Sequence, residues 1–236
     1  MKLLALETAT EQCSVALWVD GALLQRSALA PRRHGELVLP WVEALLAEAG
    51  LARTAVDAIA VGRGPGGFTG VRLAVAVAQG LAFGLERPLL PVSSLAALAM
   101  QATAPAGGPV LAAIDARMGE LYLGRFVLDG EGLAVARGEE WMAAPNAVQV
   151  DDGPWHGVGS GFAAASGALR ARLGAALVQT EPDRFPDAAA VARLGLRCWA
   201  EGGAVDPAGI EPAYLRNKVA QTLAERQAQP PGPPAP

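Results

Sequence analysis

The strongest constraint on the fold is an internal echo between the two halves of the chain. Residues 2–7 are an apolar run ending in a carboxylate, Glu7. A polar turn, Thr8-Ala9-Thr10-Glu11-Gln12, then leads into a second run over 13–19 that closes on Asp20-Gly21. Residues 110–114 are again apolar and end in Asp115. Ala116-Arg117-Met118-Gly119 turns the chain, residues 120–128 continue it, and Asp129-Gly130 follows. Short apolar runs bounded by turn residues read as strands, and Asp-Gly reads as a hairpin turn because glycine tolerates positive φ. The copies differ by one residue in the carboxylate-to-aspartate spacing. Hairpins are common, so the echo by itself leaves duplication and coincidence both open. The 236 residues fit one or two domains of ordinary size.

The intervening segments continue the alternation. Residues 22–28 read as a third strand, and residues 36–49 as a helix stopped by Gly50. Pro40 either begins the regular part of that helix or bends it. Residues 57–61 read as a buried strand, 71–83 as a helix and 89–92 as a short strand. Ser93 or Ser94 is placed to cap a helix reaching Gln101. Ala104-Pro105-Ala106-Gly107-Gly108-Pro109 is the best boundary, giving lobes over 1–104 and 105–226. Helices near 161–173 and 188–200 repeat the strands-then-helices order. Residues 227–236 are proline-rich without apolar periodicity and read as a disordered tail.

Composition excludes several classes. Apolar residues make up 52% and charged residues 18%, enough for a sizeable core and unlike a disordered chain. The 19 basic against 23 acidic residues give a net charge of −4, which argues against gripping nucleic acid directly but leaves contact through a more basic partner open. Cys13 and Cys198 lie far apart with no CxxC, so a reducing cytoplasm is expected, with Cys13 a small core residue. The first apolar stretch stops at Glu7, too short for a signal sequence. No uncharged run approaches ~20 residues, so no membrane span is expected. Only His34 and His156 are present, in different halves, and no Gly-x-Ser-x-Gly occurs. Neither a histidine-held metal nor a hydrolase elbow is legible.

The segment Gly62-Arg63-Gly64-Pro65-Gly66-Gly67-Phe68-Thr69-Gly70 carries the most information. It joins a predicted strand to a predicted helix, where backbone N–H groups and the positive helix end can hold an anion. It is neither a Walker A loop nor a dinucleotide fingerprint. The same glycines also suit a tight turn with close backbone packing. Gly64, Gly66, Gly67 and Thr69 are thus candidate phosphate contacts. Arg72 sits in the first helical turn, where the macrodipole disfavours a cation, so a carboxylate or phosphate partner is expected. Glu7 and Asp115 end strands at the mouth of the expected cleft. They can hold magnesium, or simply face solvent and cap turns. Arg117 is expected to pair with a nearby acid.

Between Arg72 and Glu86 the helix is uncharged and apolar all round, so both sides need cover. The preceding helix shows a wide apolar face through Val38, Val42 and Leu45. Burial within one lobe and docking of another chain are both consistent with this. In the docking reading the interface comprises Val38, Val42, Leu45, Val71, Arg72, Val75, Ala78 and Ala82.

Glu7-Thr8-Ala9-Thr10, the segment 62–72, Ala113-Ile114-Asp115-Ala116-Arg117-Met118-Gly119-Glu120 and Tyr214-Leu215-Arg216 closely resemble the bacterial TsaB (YeaZ) family. The resemblance reaches to about Val219. It implies an α/β, actin-like (sugar kinase/Hsp70/actin) fold of two RNase H-like lobes, with mixed sheets flanked by helices. It also implies a role in forming threonylcarbamoyladenosine at tRNA position 37. There the partner TsaD holds the metal and transfers the group, TsaE is a further ATPase partner, and the chain is a scaffold that meets tRNA indirectly. Homodimers through the same helices are implied too. The family usually has Asp where Glu7 stands and commonly Ser where Gly67 stands, departures that favour scaffolding over nucleotide chemistry. No intrinsic cofactor is expected, with ATP and magnesium confined to the complex. The rival reading is a nucleotide-dependent phosphotransferase of the same fold, using Glu7 and Asp115 for magnesium.

Overall fold

A computed structural model describes residues 1–151 and 153–215. The proposed tail over 227–236, and Arg216 of the family motif, lie outside the described residues. The first sheet contains β1 (Lys2–Glu7), β2 (Gln12–Val19), β3 (Ala22–Leu29), β4 (Ala58–Gly62) and β5 (Leu89–Val92), in the order β3-β2-β1-β4-β5. The first three strands form an antiparallel meander, and β4 and β5 run parallel to β1. The second sheet contains β6 (Pro109–Arg117), β7 (Glu120–Leu128), β8 (Ala134–Ala136), β9 (Trp141–Ala143), β10 (Trp155–Val158) and β11 (Leu177–Glu181). Its order, β11-β10-β6-β7-β8 with β9 also on β7, is the first sheet's pattern again: an antiparallel meander beside two parallel strands. The echo between the halves is therefore a duplicated topology, and the actin-like pair of mixed sheets flanked by helices is the fold.

The helices are α1 (His34–Glu48), α2 (Phe68–Leu85), α3 (Ser94–Ala99), α4 (Ala164–Leu173) and α5 (Ala188–Ala200). β1 reads as a continuous apolar run because both faces of its sheet are covered. On one face Leu4, Leu6, Val15 and Leu17 meet Val38 and Val42 of α1 and Val75 and Ala78 of α2. On the other, Leu3, Ala5, Ala16 and Ala60 meet Ala190, Val191 and Leu194 of α5. The small residues on that face let α5 come close. A Cβ on Gly195 would lie 2.7 Å from that of Ala60.

The linker near residue 104 divides the two sheets but not their cover. α3 precedes it, yet Leu95 and Leu98 pack with Val110, Ala112 and Phe126 of the second sheet. α5 follows the second sheet, yet it closes the first. A sheet face left bare would expose a full row of apolar side chains, and each half fills that row with a helix from the other. The 105–226 segment therefore includes a helix belonging to the first core.

Two expected turns differ in detail. Asp20 (φ 46) and Gly21 (φ 105) make the tight hairpin turn. After β7 the loop is wider: the Asp129 carboxylate accepts from the N–H groups of Glu131 and Leu133, and the left-handed residue is Gly132 rather than Gly130. Ser93 caps α3, accepting from Ala96 N–H at 3.0 Å. By length and composition alone α2 is long and apolar enough to cross a bilayer, which was not expected from the sequence. Its inner stripe is nevertheless part of the first core.

Candidate functional site

A cleft of ≈ 1050 Å³ opens between the lobes. One wall is the turn after β1 together with the glycine loop and the first turn of α2. The other is the end of β6 and its turn, joined by Ser160, and Tyr214 closes one side.

The first wall is assembled by close backbone contact. Gly67 N–H donates to the Ala9 carbonyl at 2.7 Å, and the Thr8 hydroxyl donates to the Gly70 carbonyl at 2.7 Å. A Cβ on Gly66 would sit 2.5 Å from the Ala9 oxygen, and one on Gly70 2.0 Å from the Thr8 oxygen. The glycines are therefore required by chain packing, whatever the cleft holds. Gly64 (φ 93) is buried and does not line the cleft, whereas Gly66, Gly67 and Thr69 do.

The two strand-terminal acids are not equivalent. Glu7 is completely buried, beneath the cleft rather than on its wall. Its Oε1 accepts from Ala9 N–H and its Oε2 from the Ser94 hydroxyl, both at 2.7 Å. Burial pushes its carboxyl up to about 7 against the pull of those bonds, and Asp187 adds a like-charge push. It is not placed to meet a magnesium ion in the cleft, because desolvation and two hydrogen bonds hold it below the surface. Asp115 does face the cleft, but Arg117 occupies both its oxygens, from N–H at 2.8 Å and Nη1 at 3.0 Å. Arg117 also reaches Glu11 across the cleft at 2.9 Å. These pairs are solvent-exposed and each contributes no more than about 1 kcal/mol.

Arg72 has no carboxylate partner among the described residues. Its guanidinium lies 3.3 Å above the Phe68 ring and 5.1 Å from that of Tyr214. It donates to the Phe68 carbonyl and to the Tyr214 hydroxyl, each at 3.0 Å. Two aromatic faces do for this cation what a carboxylate was expected to do. Sequence reasoning did not single out Ser94 as the far end of the Glu7 contact, nor Phe68 and Tyr214 as the arginine's cradle. Their sequence separation hid them, although Phe68 stands within the glycine segment and Tyr214 within the family motif.

The proposed docking residues separate by side. Val38, Val42, Leu45, Val71, Val75, Ala78 and Ala82 are all buried against their own chain. They are core residues, not an interface, because the face of α1 and α2 with the most regular apolar spacing is the one that covers the sheet. What α2 turns outward is a second apolar stripe: Phe68 (64% exposed), Ala76, Gly80 and Phe83 (58% exposed), with Leu73 half-buried at its edge. A Cβ at Gly80 or Gly84 would meet nothing within 4 Å among the described residues, so no contact there requires either glycine.

The family model described as "TsaD: tRNA N6-adenosine threonylcarbamoyltransferase" matches residues 28–169. The tRNA threonylcarbamoyladenosine biosynthesis protein TsaB of Escherichia coli (strain K12) is 41% identical over 230 residues, 93% of this chain and 96% of that one. The protein of the same name from Haemophilus influenzae is 37% identical over 231 residues, 93% and 95% of the two chains. A solved structure, YeaZ from Pseudomonas aeruginosa, superimposes with a TM-score of 0.82 at 43% identity, covering 91% of this chain and 99% of that one.

Proposed function

We propose, from the premise that the chain belongs to the TsaB (YeaZ) family, that it works in forming threonylcarbamoyladenosine at tRNA position 37 as scaffold and activator of TsaD. The observation that carries this reading is the outward stripe of α2. An exposed helical face of Phe68, Ala76, Gly80 and Phe83, with Leu73 half-buried at its edge, is an unusual expense of solubility for a lone chain. Exposed glycine inside a helix costs about 1 kcal/mol relative to alanine, and in this reading close approach of the partner's backbone gives it a use. The partner surface in this reading is therefore the outer face of α2.

The cleft supports a supporting role rather than an independent one. In this reading the chain does not hold magnesium-nucleotide alone, which the burial of Glu7 and the pairing of Asp115 with Arg117 support. ATP and magnesium belong, in this reading, to the assembled complex, with TsaE as a further partner and tRNA reached through the others. Net charge of −4 accords with that indirect contact. Cys13 and Cys198 are both free thiols, which suits the cytoplasm.

Titration calorimetry with TsaD tests the surface. Ala76→Arg or Gly80→Arg should weaken association by at least about tenfold, with the melting temperature not lowered. Undiminished affinity would remove α2 from the interface. Sedimentation of the isolated chain reads the homodimer on the same face, which the same variants should dissociate.

A further inference from the structure

We propose that Glu7 is a positioning residue, whose buried carboxyl fastens the turn after β1, the glycine loop and the start of α3 into one unit and so fixes the first turn of α2. The contacts form a closed circuit. Ala9 N–H donates to Oε1 at 2.7 Å, and the Ala9 carbonyl accepts from Gly67 N–H at 2.7 Å. The backbone then runs from Gly67 back to Gly64, whose N–H donates to the Ser94 hydroxyl at 3.2 Å. That hydroxyl donates in turn to Oε2 at 2.7 Å. Ser94 N–H meets the Gly64 carbonyl at 2.9 Å, so Ser94 holds the loop by both its backbone and its side chain.

The surrounding residues are shaped to this carboxyl. A Cβ at position 62 would lie 2.0 Å from Oε2, so the acid occupies the space a side chain there would need. Ser94 is itself fully buried, as is Thr8, the residue after the carboxylate. Aspartate would fall short of Ser94 by one carbon–carbon bond, about 1.5 Å. A hydrogen-bonding group at each of two ends, at glutamate's length, is what joins three segments that lie far apart in sequence. Breaking the circuit frees the loop that carries Gly67 into α2. The consequence for partner binding rests on the docking reading above.

Four variants test this in the full chain: Glu7→Gln, Glu7→Met, Glu7→Asp and Ser94→Ala. Gln keeps the length and accepts from Ala9 N–H through its carbonyl oxygen, while its amide N–H meets the Ser94 hydroxyl with that bond reversed, as a protonated carboxyl would; Met keeps only length and volume. Amide hydrogen exchange over residues 62–70, compared with the β2–β3 hairpin, is measured beside affinity for TsaD. In Met, Asp and Ser94→Ala, exchange in the loop should rise at least about tenfold while the hairpin stays within twofold, and Gln should match the wild type. Affinity should fall about threefold or more in those same three variants and recover in Gln. Met behaving like Gln, or Ser94→Ala leaving loop exchange unchanged, overturns the proposal. So does a freed loop with undiminished affinity. If Met and Asp fail to fold, Ser94→Ala, which leaves the acid in place, still decides. If the wild type does not bind TsaD, the docking reading fails, and the exchange data alone decide whether the carboxyl fastens the loop.

Discussion

Glu7 is a buried carboxyl with no cation beside it among the described residues. Desolvation lifts Glu7 to about 7 from an ordinary 4.5, so the folded state keeps a proton that the unfolded chain releases. Its contribution to stability is fully present below the unfolded value and is lost as pH rises through about 7. Denaturant unfolding near pH 5 and near pH 8 should show the wild type losing up to roughly 3 kcal/mol more than Glu7→Gln, whose response at this site is flat. Parallel pH profiles for the two proteins would mean that another group titrates. Gly70 makes the complementary point about space. Its Cβ would fall 2.0 Å from the Thr8 carbonyl, so Gly70→Ala should destabilise by about 1–3 kcal/mol or more, read from the midpoint shift.

Among the elements, α2 has the most to explain, being apolar on two sides for two reasons. Its inner stripe is core, so Val75→Asp or Ala78→Asp should abolish cooperative unfolding rather than loosen a complex, because each puts an unpaired charge where exposure is 5% and 0%. Its outer stripe is solvent-facing, and there the signs reverse. Gly80→Ala should raise stability by about 0.5–1 kcal/mol, the gain in helix propensity, since nothing occupies the added methyl's space. If the stripe docks a partner closely, the same change should lower affinity for TsaD, and calorimetry beside thermal melts separates the two effects. Apolar spacing revealed that the helix needed cover all round but did not tell the stripe that packs on the sheet from the one that faces solvent. Periodicity reports that a stripe is apolar, whereas which stripe faces the sheet depends on how the loop from β4 delivers Gly67.

For the molecule as a whole, the exchange of helices between halves sets the cooperativity. A fragment ending at residue 104 retains every strand of the first sheet but lacks α5, leaving Leu3, Ala5, Ala16 and Ala60 bare. That fragment should fail to give dispersed amide resonances, and the intact chain should unfold in a single transition by two optical probes. Separate melting of two lobes would show that the shared helices contribute little. The ion pair between Arg197 of α5 and Asp129 after β7 adds a further tie between the halves.

The order of strands and helices, the duplicated opening of each half and the need to cover α2 on both sides were all written in local composition. Apolar runs, turn residues and caps act over a few neighbours, and β1, β5, β7 and α5 were legible to the residue. The short strands β8, β9, β10 and β11 were not, because three to five residues paired to distant partners carry no periodicity of their own. Tertiary structure alone decided that Glu7 is buried against Ser94, that Arg72 rests on Phe68 and Tyr214, and that α3 and α5 change places. Each depends on which distant segments the folded sheets bring within bonding distance, and burial, unlike pattern, belongs to the assembled chain.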